Sequence, residues 1–179
     1  LCGTVYKVAV DITRVDLDKK EVVIDEYETV RARKIVIATG TTPNLTGAPG
    51  EKELKGKGIS YCATCDGKYM DGKDVVVIGG GNSAVEESEY LTRFANKLTI
   101  VHQFDKLTAN KQAQDKVFNN PKISLLFDTE PRTFIKEGEK IVTEIENIKT
   151  KVHQKLTSDG VFIFIGMKPN IDLFRDKLE

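Results

Sequence analysis

Two groups of residues in this 179-residue chain have types and spacings that can do chemistry. Cys62-Ala63-Thr64-Cys65 sets two thiols three positions apart, a spacing that suits a thiol-disulfide couple, half of a zinc site, or two buried structural cysteines. Zinc needs two further ligands. The candidates, Cys2, His102 and His153, are scattered, with no second CxxC and no histidine pair at ligand spacing, so no metal site is expected. Small polar residues surround the pair, and Cys65-Asp66-Gly67 is placed to begin a short helix whose N-terminal dipole stabilises a thiolate. The redox reading therefore leads. Asp66 is either a helix cap or the acid-base group that handles the proton when the disulfide opens.

The second group is Gly79-Gly80-Gly81-Asn82-Ser83-Ala84, a GxGxxA turn after the apolar run Val75 to Ile78 and before helical text. In that context Gly79 permits a tight turn, Gly81 lets the backbone approach a pyrophosphate at the helix N-terminus, and Ala84 allows close helix-sheet contact. A glycine-rich turn that binds nothing is the alternative. Choice between the two nicotinamide nucleotides is normally made at the end of the next strand, by an acid for the ribose hydroxyl or an arginine for the 2′-phosphate. His102-Gln103-Phe104-Asp105 offers neither at the strand end.

The elements that must position these groups follow from periodicity. Thr4 to Ile37 is β-like: Val5, Val8, Val10 and Ile12 alternate, Asp18-Lys19-Lys20 turns, and Val22-Val23-Ile24 follows, predicting an antiparallel meander. Lys34 to Ile37 reads as its last strand, and Thr41 to Gly58 as a linker. The unbroken apolar strand Val75 to Ile78 implies a parallel sheet covered by helices. Asn82 to Ala95 predicts a helix with Ala84, Ser88, Leu91 and Ala95 on the buried face. Strand Leu98 to Val101, helix Ala109 to Phe118 and strand Ile123 to Phe127 complete βαβαβ; a hairpin from Thr133 to Ile148 and a last strand Val161 to Ile165 follow. Lys plus Arg (27) balances Asp plus Glu (27), so no global field favours nucleic acid or an anionic membrane. No apolar run approaches the roughly 20 residues that cross a bilayer. The few cysteines fit a cytoplasmic protein, and the N-terminus, without Met or signal pattern, reads as that of an excised piece.

Tyr61 to Gly67, followed by Val77-Ile78-Gly79-Gly80-Gly81-Asn82-Ser83-Ala84-Val85-Glu86-Glu87, resembles the signature of low-molecular-weight thioredoxin reductases. Ala38-Thr39-Gly40 and Ile165-Gly166 with Pro169-Asn170 are similar to the strands that leave and re-enter that family's flavin domain. The resemblance implies an α/β fold: a doubly wound, Rossmann-like FAD/NAD(P)-binding domain, parallel sheet plus β-meander, with partial β segments of the adjoining FAD domain. It places residues 1–43 and 169–179 in the FAD domain and 44–168 in the NAD(P)-binding domain that carries the CxxC. It implies electron transfer from NADPH or NADH through FAD to the Cys62-Cys65 disulfide and on to thioredoxin. Cys65 would face the flavin, Cys62 would attack thioredoxin, and Asp66 would supply the proton. Thr39, Gly40, Gly79, Gly80, Gly81, Asn82, Ser83, Ala84, Glu86, His102, Gln103, Ile165 and Gly166 would bind cofactor. A domain rotation is implied, with hinges near Thr42 to Asn44 and Gly166 to Asn170, as is a homodimer of the full-length protein. The chain lacks an N-terminal GxGxxG and a C-terminal Gly-Asp segment, so alone it is expected to be inactive and not to retain FAD.

One departure bears on the donor. NADPH-dependent members hold the 2′-phosphate with a histidine, two arginines and a further arginine, where this chain has His102, Gln103, Phe104 and Thr108. Losing two charge-assisted bonds of roughly 1.5 to 3 kcal/mol each weakens NADPH by about 10² to 10⁴; Lys106 and Lys111 offer point charges without a bidentate fork. NADPH, NADH and reduced ferredoxin remain as donors, the nucleotides first because the glycine turn is intact. A peroxiredoxin-reducing flavoprotein and a nucleotide-binding redox sensor are the competing readings.

Overall fold

The computed structural model describes residues 3–175 and 177, and Cys2 lies outside them. Contacts divide the chain into a smaller unit, Leu1–Thr42 with Pro169–Glu179, and a larger one, Pro43–Lys168.

In the smaller unit β1 (Ile12–Asp16), β2 (Glu21–Ile24) and β3 (Glu28–Arg31) form an antiparallel meander. The expected turn joins the first two, with Asp16 Oδ1 accepting the Lys19 N–H at 2.9 Å. Val15, Val23 and Ile24 supply its buried side chains. Two expectations fail. The first strand starts at Ile12, not Thr4, and Lys34 to Ile37 is not a strand. Val5 and Val36 are 88% and 89% exposed; alternation makes a strand only where a neighbour completes the ladder and an apolar surface receives one face. Glu28–Arg31, polar and short, is a strand that the alternation rule did not pick out.

β4 (Thr41–Pro43) leads into the larger unit, where α1 (Glu51–Leu54), β5 (Ile59–Ser60) and α2 (Ala63–Asp66) follow. The stretch read as a linker is therefore folded. Its anchor is Glu51, 1% exposed, which accepts from the Thr46 hydroxyl at 2.6 Å, the Gly47 N–H at 3.0 Å and the Tyr61 hydroxyl at 2.7 Å. Burial, together with the hydrogen bond to Glu51 and its charge, pushes the Tyr61 hydroxyl above the ordinary phenol range. Glu51→Ala leaves three donors without this acceptor. Thr46 and Tyr61 are half-buried and Gly47 is exposed, so at roughly 0.5–1.5 kcal/mol for each lost bond the expected loss is about 1–3 kcal/mol, read as a lower denaturant midpoint at unchanged slope.

The centre of the larger unit is β6 (Asp74–Ile78), α3 (Asn82–Leu91), β7 (Lys97–Val101), α4 (Lys111–Phe118) and β8 (Ile123–Leu126). Antiparallel strands β9 (Thr129–Glu137), β10 (Lys140–Asn147) and β11 (His153–Ser158) come next, and β12 (Gly160–Ile163) returns to the parallel sheet. Its strand order is β5-β12-β6-β7-β8. β13 (Met167–Pro169) pairs with β4 in a two-stranded ribbon.

Successive residues of a strand point to opposite faces. Val75 and Val77 accordingly pack with Ala84, Val85 and Leu91, whereas Val76 and Ile78 pack with Phe134, Ile141 and Ile145. Helices thus cover one face of the parallel sheet, and the antiparallel sheet covers the other, in place of the helices expected there. The hairpin turns at Gly138-Glu139 as read, but β11 was missed because His153-Gln154-Lys155 presents no apolar alternation. The predicted helix face is correct: Ala84, Ser88, Leu91 and Ala95 are all 1% exposed or less. The α-helix ends four residues early, because Thr92 Oγ1 donates to the Glu89 carbonyl and the Arg93 and Phe94 N–H groups bond three residues back, tightening the last turn.

Candidate functional site

Cys62 is the N-cap of α2, in extended backbone, and its Sγ accepts the Cys65 N–H at 3.2 Å. The two sulfurs are bonded to each other, so in this state neither thiolate is available to a metal. The short helix begins at Ala63, earlier than expected, and its N-terminal amides face Cys62, not Cys65. Cys65 is exposed and Cys62 half-buried.

Asp66 makes no side-chain cap for the 3₁₀ turn that follows it. Its Oδ2 instead accepts the Ser60 hydroxyl at 2.6 Å, and Ser60 Oγ accepts the Cys62 N–H at 3.1 Å. A single serine thus ties the carboxylate to the backbone of the redox pair. Ser60 carried no signal in the sequence beyond its place two residues before Cys62.

The glycine turn lies where the parallel sheet changes direction. β7 and β8 extend it to one side of β6, and β12 and β5 to the other, which makes the C-terminal ends of β6 and β12 the switch point at which such sheets bind ligands. A groove of about 710 Å³ opens there, lined by Gly79 to Ser83, Val101 to Gln103, Thr108, Thr129 to Arg132, Phe164 to Gly166 and Asn44 to Thr46. Gly79 has φ 134°, and a side chain on it would stand 2.2 Å from the Phe164 carbonyl oxygen. Gly80 is constrained differently: a Cβ there would sit 2.4 to 2.6 Å from ring atoms of His102. Gly81, the N-cap of α3, has nothing nearer its missing side chain than Thr108 Oγ1 at 3.8 Å. Its backbone is thus open to a ligand at the head of a ten-residue helix.

His102 is 5% exposed and stacks edge-on with Phe104. Burial pushes the imidazole below its ordinary value, partly offset by its bond to the Lys106 carbonyl at 3.1 Å. The ring is therefore neutral at pH 7. A carbonyl partner requires Nε2 to carry the hydrogen, which fixes the tautomer.

Of the residues expected at a cofactor, Gly79, Gly80, Gly81, Asn82, Ser83, His102, Gln103, Ile165 and Gly166 line this groove. Ala84 lies buried beneath the turn. Glu86 is turned away, in a smaller cleft between α3 and α4 where Asn110 Nδ2 donates to it at 3.2 Å. Thr39 and Gly40 belong to the other unit, where their carbonyls accept from the Asn170 Nδ2 and N–H and the Thr39 hydroxyl donates to the Asn170 carbonyl. Glu130 and Arg132 were not foreseen as lining residues, since a β-hairpin edge in sequence gives no hint of what it faces. The groove residues fit a dinucleotide: a bare helix N-terminus, a glycine floor and apolar walls from Ile78, Val101 and Phe164. FAD fits less well. Among the described residues no second GxGxxG or GxGxxA turn leads from a strand of the parallel sheet into a helix.

A disulfide and a glycine-rich strand-to-helix turn thus lie in one Rossmann-like unit. The chain belongs to the pyridine nucleotide-disulphide oxidoreductase family, whose profile matches residues 3–179. Such proteins use FAD and NAD(P)H. The chain is 41% identical over 169 residues to the 34.2 kDa protein in the rubredoxin operon of Clostridium pasteurianum, covering 94% of this chain and 55% of that protein. It is 46% identical over 162 residues to thioredoxin reductase of Bacillus subtilis (strain 168), covering 85% and 51%. The crystal structure of Lactococcus lactis thioredoxin reductase (FR conformation) matches at TM-score 0.84 and 35% identity, over 94% of this chain and 55% of that one. The chain spans about half the length of the proteins it matches. Among the described residues no helix is long and apolar enough to cross a membrane.

Proposed function

We propose that this chain is the nucleotide- and dithiol-bearing part of a thioredoxin-disulfide reductase. The observation that carries this reading is the Cys62-Cys65 disulfide, with Asp66 tied to it through Ser60, in the same unit as the Gly79-Ala84 groove. Residues 44–168 make the NAD(P)-binding domain, and 1–43 and 169–179 belong to the FAD domain. Bound FAD supplies the two-electron relay between nucleotide and disulfide. This chain's residues do the rest. The groove holds the nucleotide, with its pyrophosphate against the Gly81 and Asn82 amides. Two electrons and two protons convert the disulfide to a dithiol, Asp66 handling one proton near the sulfurs. Cys62 then attacks the thioredoxin disulfide, and Cys65 displaces it, which restores the Cys62-Cys65 bond and releases reduced thioredoxin. A rotation about Thr42 to Asn44 and Gly166 to Asn170 presents groove and dithiol to the flavin in turn. The full-length protein acts as a cytoplasmic homodimer.

The test uses the full-length protein, loaded with FAD and kept anaerobic, with flavin absorbance followed after NADH or NADPH and then thioredoxin. Bleaching by a nucleotide and recovery on adding oxidised thioredoxin is the expected result. Bleaching without recovery refutes thioredoxin as acceptor, and no bleaching by either nucleotide refutes the nucleotide-driven route in favour of a ferredoxin donor.

A further inference from the structure

Resting on the reading of the groove as the nicotinamide-nucleotide site, we propose that it selects the nucleotide whose adenosine ribose carries a free 2′-hydroxyl, so that NADH binds in preference to NADPH. In a dinucleotide-binding parallel sheet the adenosine ribose lies at the C-terminal end of the strand after the glycine turn, here β7 and the residues just beyond it. A 2′-phosphate there carries close to two negative charges into a partly desolvated groove. It needs cations or N–H donors that are not already engaged.

Several of the candidates near this end of the groove are already engaged. His102, the first residue past β7, is neutral, buried, and gives its Nε2–H to Lys106. Thr108 gives both its backbone N–H, at 2.9 Å, and its hydroxyl, at 3.3 Å, to the Gly80 carbonyl. Arg132 is the one guanidinium among the described residues that line the groove. It is shared by two carboxylates, with Nη1 at 3.0 Å from Glu130 and Nε at 2.7 Å from Glu146. Its remaining N–H groups lie beside the Glu130 carboxylate, so a phosphate that reached them would stand against a second anion. Phe104 adds an exposed apolar ring where a phosphate would require charge. Lys106 is not among the lining residues. At this end of the groove the exposed Gln103 amide can donate to a hydroxyl, and the Glu130 carboxylate, which Arg132 also contacts, can accept from it.

Isothermal titration calorimetry of the full chain with NAD+ and NADP+, both oxidised so that no turnover occurs, tests this directly. NAD+ is expected to bind at least tenfold more tightly than NADP+. Gln103→Arg combined with Phe104→Arg is expected to raise NADP+ affinity tenfold or more and to lower NAD+ affinity several-fold, because the amide that serves the 2′-hydroxyl is lost. Glu130→Gln, which relieves Arg132 of one carboxylate, is expected to shift the ratio the same way by several-fold. NADP+ affinity equal to or greater than that of NAD+ in the unmodified chain overturns the selectivity while leaving the groove's assignment intact. Failure of both nucleotides to bind overturns the assignment and the selectivity with it.

Discussion

On the proposed function, Cys62→Ser and Cys65→Ser are each expected to reduce thioredoxin turnover by the full-length protein to background, because disulfide exchange needs one thiolate to attack and a second to resolve. The two variants differ in what they trap. In the disulfide state Cys62 is the N-cap of α2 and its sulfur accepts the Cys65 N–H, and the proposed roles make Cys62 the attacking sulfur. Cys65→Ser is therefore expected to accumulate a mixed disulfide with oxidised thioredoxin, visible as a covalent complex on a non-reducing gel, and Cys62→Ser to accumulate none. The fact that Cys65 is the more exposed of the two gives the experiment its edge. Trapping by Cys62→Ser alone would exchange the two roles, and retained turnover in either variant would remove the dithiol from the mechanism.

The second large effect separates the three glycines of the turn. Gly79→Val combines a positive φ with a backbone carbonyl 2.2 Å from the new Cβ, and the oxygen belongs to the chain just beyond β12 and cannot swing aside. Strain at such a position costs about 1–3 kcal/mol, before the clash is added. We expect a marked fall in thermal stability together with nucleotide affinity lowered by about 10² or more. Gly81→Ala is the informative companion. Its φ of −81° suits any residue, and a methyl group meets nothing closer than 3.8 Å. Its stability should stay within about 0.5 kcal/mol of the parent. If a pyrophosphate approaches that backbone, nucleotide affinity nevertheless drops at least tenfold by calorimetry. Unchanged affinity in Gly81→Ala would mean that nothing docks at the head of α3.

The parts of the fold legible in the sequence were those in which one physical signal sufficed. Val75 to Ile78 could only be buried on both faces, and Gly79 to Gly81 could only be a turn. Small residues at Ala84, Ser88, Leu91 and Ala95 could only face a sheet. Where structure depends on a distant partner, the text was silent or misleading. Val36 looks like a strand residue and has no ladder; His153 to Ser158 looks like a loop and is a strand because β10 offers one. Glu51 in an apparent linker gave no warning that three donors converge on it. The site divides the same way. Cysteine spacing and glycine spacing are local, whereas the Ser60 bridge to Asp66 and the Glu130-Arg132-Glu146 triad depend on how separate segments are brought together. His102 shows the mixed case: its position was noticed, but not that its ring fills the space that a side chain at position 80 would need.

The carboxylate of Glu51 joins Thr46 and Gly47, near the entry to the larger unit, to Tyr61, the residue immediately before the redox pair. Segments that share one buried acceptor open together or not at all, because releasing any of them leaves the same charge without its partners. In hydrogen exchange the Gly47 amide and the amides around Cys62 are therefore expected to share one opening, and the buried strands β6 and β7 to exchange more slowly. The polypeptide leading into this unit is in that sense a local clamp whose lifetime sets how often the dithiol segment can loosen.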